Sequence, residues 1–207
     1  MKSISLKRID AFKIIDENTD EIFYGCDQEW FGTEWQRRSG CGPSAVSNML
    51  LYRAAPLGGR ALSKSDCASL MEEVWHHVTP TEHGIPNTEM LCESVKAYGA
   101  SKGAKVACAH CEIPEDRSLR PSGGEVASFL EVALSSDIPV IFLNLCNGEE
   151  ENLDEWHWVT IVSLERAEPD GRMKLRILDK GKIGIVDLTL WLDTTECGGG
   201  FVHFVME

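Results

Sequence analysis

The chain has 207 residues, enough for one domain with a substantial core, and a hydrophobic fraction of 43% that is ordinary for a folded protein. Its formal net charge of −13 repels polyphosphates and anionic headgroups, so neither nucleic acid nor a membrane surface is an expected partner. Residues 1–13 mix charge into every few positions and lack the apolar core of a secretory signal, and no apolar run is long enough to cross a bilayer. The expected compartment is therefore the cytoplasm, where the eight irregularly spaced cysteines should mostly stay free thiols.

Residues 6–15 read as a first strand or a short helix, and residues 23–39, rich in glycine, aromatic and polar groups, as a structured loop. A helix is expected over 43–53, with Ala45, Val46, Met49 and Leu50 on one face and Pro43 in the first turn. A second covers 63–76 with Ser63 as N-cap, and a third covers 87–98, capped by Asn87 and ended by Gly99. A short strand at 105–110 and a fourth helix at 124–135 follow. The rest is β-rich: 139–145 is a near-continuous apolar run, as in a central strand, with further strands at 156–164, 174–179, 183–188 and 201–206. Glu168-Pro169-Asp170-Gly171 is a turn signal joining two of them. Helices first and antiparallel strands later define an α+β domain over 1–207, with a helical half at about 40–136 packed on a β-rich half at about 137–207.

Chemistry concentrates at Gly40-Cys41-Gly42-Pro43. A cysteine in the first turn of a helix meets the positive end of the helix dipole, which favours thiolate over thiol. The flanking glycines leave room for a carbonyl to reach the sulfur and free backbone N–H groups to hold an oxyanion. His157 starts one strand and Asp179 ends the next, so antiparallel pairing makes them neighbours at one edge of the sheet. The acid would orient the imidazole, leaving its other nitrogen for a thiol. Gln28 and Gln36 both lie upstream of Cys41 and either side-chain amide could serve the oxyanion; Gln28 is preferred because Trp30, two residues on, can anchor its loop.

Gln…Trp, Gly-Cys-Gly-Pro at a helix start, His-Trp-Val at a strand start and a late Leu-Asp together resemble the papain-like cysteine peptidases. The closer likeness is to the bacterial branch that includes bacteriocin-processing, double-glycine-leader peptidases. That resemblance implies a papain-like fold, Cys41 as nucleophile, His157 as base, Asp179 as orienting acid, Gln28 as oxyanion donor, a peptide or protein substrate, and no cofactor or metal. The sequence departs from the branch at Lys180, where proline commonly follows the acid. Hydrolysis of a peptide or isopeptide bond, acyl transfer to an amine or thiol, and an inactive binding module are the three readings this pattern allows.

Other signals carry bland readings. Cys108-Ala109-His110-Cys111 lacks a second ligand cluster for zinc, and His76-His77 ends a helix where a cation suits the dipole. His203 lies within a strand and is expected to be packed; His83 lies in a Gly/Pro-rich loop placed to line the cleft. Glu149, Glu150, Glu151, Asp154 and Glu155 read as a solvated acidic loop, and Trp156 and Trp158 as core or as a shield for the His–Asp bond.

Overall fold

The computed structural model describes residues 2–55, 61–167, 169 and 171–207. The main element is a seven-stranded antiparallel sheet. Its strands are β1 (Lys2–Ser5), β5 (Val106–Ile113), β6 (Val140–Asn144), β7 (His157–Arg166), β8 (Met173–Asp179), β9 (Lys182–Asp187) and β10 (Gly199–Met206). They run in the order β5-β10-β6-β7-β8-β9, and β1 pairs with the far half of β7. A small second sheet joins β2 (Lys13–Ile15), β3 (Ile22–Tyr24) and β4 (Leu62–Ser63).

The helices are α1 (Glu34–Ser39), α2 (Cys41–Ala54), α3 (Lys64–Trp75), α4 (Thr88–Ser101), α5 (Gly123–Ser135) and α6 (Leu188–Thr194). They cover both faces of the large sheet. On β6, Val140 and Phe142 enter a cluster with Leu130 of α5 and Trp191 of α6, while Ile141 and Leu143 enter another with Val46 of α2 and Leu91 of α4. Two-sided burial explains why 139–145 reads as an unbroken apolar run.

Capping fixes the helix starts as expected: the side chains of Ser63 and Asn87 accept from the N–H groups of Asp66 and Met90. Other elements differ from expectation. The supposed loop at 23–39 contains β3, a 3-10 turn (Gln28–Trp30) and α1. Thr33 and Gln36 form a reciprocal capping box that starts α1. α4 runs through Gly99 instead of ending there, because Gly99 serves close packing: a Cβ on it would lie 2.3 Å from Val106 of β5. β5 is longer than expected and pairs with β10 along eight residues, so the N-terminal half also builds the sheet. The segment 183–188 ends in Asp187, which caps a helix absent from the sequence reading, α6. Glu168 and Asp170 of the expected turn lie outside the described residues; the chain around them closes through Ala167 N–H to Arg172 O at 2.8 Å.

Cysteine chemistry departs from expectation at one pair. Cys92 of α4 and Cys108 of β5 form a disulfide, which also removes Cys108 from any metal site. The other six cysteines are free thiols.

Candidate active site

The site forms where the start of α2 meets the ends of β7 and β8. Cys41 is the first residue of α2, half-buried, with its N–H in the turn that has no intrahelical acceptor. α2 packs along β7, so residues near its start approach the start of that strand. His157 is the first residue of β7 and Asp179 the last of β8, and these strands pair antiparallel. The ring Nε2 of His157 lies 2.7 Å from Oδ1 of Asp179. The Cys41 sulfur lines the same cleft as the imidazole and acts on its pKa, and with Nε2 held by Asp179 it is Nδ1 that is left for the sulfur. Structure thus brings together the three residues singled out in the sequence.

His157 is 7% exposed. Burial alone disfavours its charged form, but the hydrogen bonds to Asp179 and Cys41 and the negative charge at both outweigh it, raising the pKa to about 10.

Lys180 explains the departure from proline after the acid. Asp179 pairs with Lys182, leaving Lys180 and Gly181 as a two-residue hairpin turn with φ of +49° and +70°. Two positive φ values define the turn type that suits tight hairpins, and proline, fixed near −65°, cannot adopt them. The Lys180 ammonium pairs with Asp154, a residue the sequence reading assigned to solvent. Asp154, His157 and Asp179 form the one three-residue group among the described residues whose ligand atoms lie within metal-sharing distance, 4.8 Å. Both carboxylates already face cationic partners, Lys180 and His157, so the group reads as an ion-pair network.

Gln28 lines the cleft with Cys41, and its Nε2 donates to the carbonyl of Arg37 at 2.7 Å, a helix-end acceptor of α1. A side-chain amide has two N–H bonds, so one is left to point into the cleft. Trp30 anchors this turn edge-on to Phe23 at 5.2 Å, as the spacing suggested. Gln36 is buried away from the cleft lining: its Oε1 accepts from Thr33 N–H and its Nε2 donates to Glu72 at 2.6 Å. Gln28→Ala is expected to lower kcat by about 10²-fold with little change in KM. Gln36→Ala should instead lower the melting temperature while sparing kcat, and a kinetic loss as large as that for Gln28 would reverse the assignment.

Two further expectations split. Trp158 is core, donating its indole N–H to Ile85 O at 2.9 Å, whereas Trp156 is 60% exposed and adopts φ +53°. Trp156, Trp35, His83, Ile85 and Leu145 line a groove of about 580 Å³ that opens beside Cys41. His83 thus borders the cleft, and His203 packs against Phe129 at 5.0 Å in a setting that lowers its pKa by burial. Glu149, Glu151, Asp154 and Glu155 are exposed, as the solvated-loop reading expects, and Glu150 departs from it. It is 3% exposed, and its carboxylate accepts from the N–H groups of Asn152 and Asp187, pinning the loop that leads into His157.

The fold and this constellation define an α+β architecture of the papain-like kind, helices packed on an antiparallel sheet. By structure the chain is similar to UfSP from C. elegans, with a TM-score of 0.50 and 9% sequence identity over 100% of this chain and 34% of that one. The chain thus spans about a third of that protein's length. No family model matches the chain, and no curated protein matches it in sequence.

Proposed function

We propose that the chain is a cysteine peptidase-like hydrolase that cleaves a peptide or isopeptide bond through an acyl-enzyme on Cys41. The observation that carries this reading is the imidazole of His157, bonded at Nε2 to Asp179 and sharing one cleft with the Cys41 sulfur at the start of α2. The Cys41 proton passes to His157, which then serves as the acid. The thiolate attacks the carbonyl carbon, a C–S bond forms, and the carbonyl electrons move to oxygen. That oxyanion is held by the Cys41 N–H and the Gln28 amide. Collapse breaks the C–N bond, and the leaving amine takes the His157 proton. Neutral His157 then draws a proton from the water that attacks the thioester, and the thiolate departs.

On its motifs we place the chain nearest the bacterial double-glycine-leader branch, acting on a peptide or protein in the cytoplasm. A peptide bearing a thiol-directed electrophile at the scissile position tests the nucleophile. The adduct should map to Cys41 and vanish in Cys41→Ala. Adducts spread over other cysteines would sink the reading. Adding amine acceptors to a peptide substrate separates the two fates of the acyl-enzyme: free acid means hydrolysis, and an amide product means transfer.

A further inference from the structure

A second thiol site lies outside this cleft. Cys146 follows β6 by two residues and Cys197 precedes β10 by two. The two segments are stitched together by Leu145 N–H to Gly198 O at 3.2 Å. Continuing the β6–β10 register past Gly199 and Asn144 sets Cys146 opposite Cys197, and the backbone N–H groups of Glu196, Gly148 and Cys197 lie near the Cys146 sulfur and favour its charged form. The cradle is fixed from behind. The Cys146 carbonyl accepts from the Thr195 hydroxyl at 2.6 Å and from the Trp191 indole at 3.2 Å, and the same Thr195 hydroxyl accepts from Gly198 N–H at 3.2 Å. Converging backbone N–H groups of this kind stabilise an anion. Cys197 is exposed and Cys146 half-buried, so the pair is open to small reagents.

We propose that Cys146 and Cys197 form a reversible redox pair, in which Cys146 attacks a hydroperoxide and Cys197 closes the disulfide. The Cys146 thiolate attacks one peroxide oxygen, the O–O bond breaks, and the displaced oxygen takes a proton and leaves as water from hydrogen peroxide or as the alcohol from an alkyl hydroperoxide. The product is a sulfenic acid on Cys146. The Cys197 thiol then attacks that sulfur, the S–O bond breaks, and water leaves. The peroxide is reduced by two electrons and the two thiols are oxidised to one disulfide; a dithiol reductant returns them.

The remaining free thiols besides Cys41 are poorer candidates. Burial pushes the pKa of Cys67 up to about 12 and that of Cys26 well above the usual range, and burial raises Cys111 as well. For Cys146 the backbone donors from Glu196 and Gly148 outweigh burial and draw the pKa down; Cys197 is raised, by burial first and by its charged neighbour second. An attacking thiol more acidic than its resolving partner is the arrangement the reaction favours. The proposal stands apart from the peptidase reading and uses none of its residues.

The test uses the full chain carrying Cys41→Ala, which removes the rival nucleophile. After treatment with one equivalent of hydrogen peroxide and alkylation of the remaining thiols, peptide mapping should find Cys146 joined to Cys197, and dithiothreitol should undo the link. With Cys197→Ser added, a dimedone adduct should accumulate on Cys146. In the reduced Cys41→Ala protein at neutral pH, iodoacetamide should modify Cys146 roughly tenfold faster than Cys111. Equal alkylation rates, or oxidation that falls on Cys111 without joining Cys146 to Cys197, would overturn the proposal, and both are read on the Cys41→Ala protein without further substitution.

Discussion

His157→Ala is expected to lower kcat/KM on a cleavable peptide by about four orders of magnitude while leaving the fold intact. The size follows from the two jobs the ring performs. In the proposed mechanism it takes the Cys41 proton and delivers the proton that the leaving amine needs. A loss of less than tenfold, with the fold shown intact, would exclude His157 from the chemistry. The same residue sets a pH signature. Its folded pKa, about 10, stands above the ordinary imidazole value of 6.5. Between those values the folded state holds a proton that the unfolded chain releases, so this contribution to stability is complete below about pH 6.5 and is lost as pH rises through 10. Urea midpoints should therefore fall across that window in the wild type and fall less in His157→Ala. Activity should decline on the alkaline side as the ring loses its proton. Asp179→Asn removes a contact that raises the pKa, so its alkaline limb should move toward neutrality.

Trp191→Ala is expected to cost about 3–5 kcal/mol of stability, read from the urea midpoint. Trp191 is fully buried, edge-on to Phe142 at 4.7 Å and to Phe201 at 6.0 Å, so truncation opens a cavity between α6 and the sheet. Its indole N–H also donates to Asn144 Oδ1 at 2.8 Å, and Asn144 in turn donates to the Asp154 carbonyl at 2.7 Å. Asn144 faces His157 across the β6–β7 ladder, so this chain of contacts reaches the segment that carries the imidazole. Trp191→Phe keeps most of the volume and loses the donor. It should cost about 1–3 kcal/mol. If both variants unfold at the wild-type midpoint, the packing described here does not hold the sheet.

What the sequence revealed follows from how local each signal is. α2, α3, α4 and α5 announce themselves through caps and 3.6-residue periodicity, and β6 through its apolar run, because those patterns lie within one element. The meeting of His157 and Asp179 was legible because a single turn joins their strands. α1 and α6, six and seven residues long, were missed because so few turns carry little periodicity, although Thr33 and Gln36 spelled out a capping box. The buried state of Glu150 was hidden for another reason. Its acceptor oxygens are satisfied by backbone N–H groups, one of them 37 residues away at Asp187, and backbone donors leave no trace in residue types. The cradle around Cys146 is invisible for the same reason, and the Cys92–Cys108 bond depends on α4 lying over β5. The separation of Gln28 from Gln36 likewise waited on the discovery that one faces the cleft and the other ties α1 to Glu72.

The two-residue reversal at Lys180 and Gly181 makes the chemistry hostage to counting. Side chains along a ribbon alternate between its two sides, so gaining or losing one position there would shift β9 by one rung against β8, change the residue opposite Asp179 and displace Lys180 from Asp154. β9 is the outermost strand and has only β8 beside it in the large sheet, so the scaffold could absorb such a slip. On the proposed mechanism, drift in length at this spot would disturb the surroundings of Asp179 without unfolding the protein, whereas drift in residue type at the tip, within the limits of positive φ, would be tolerated.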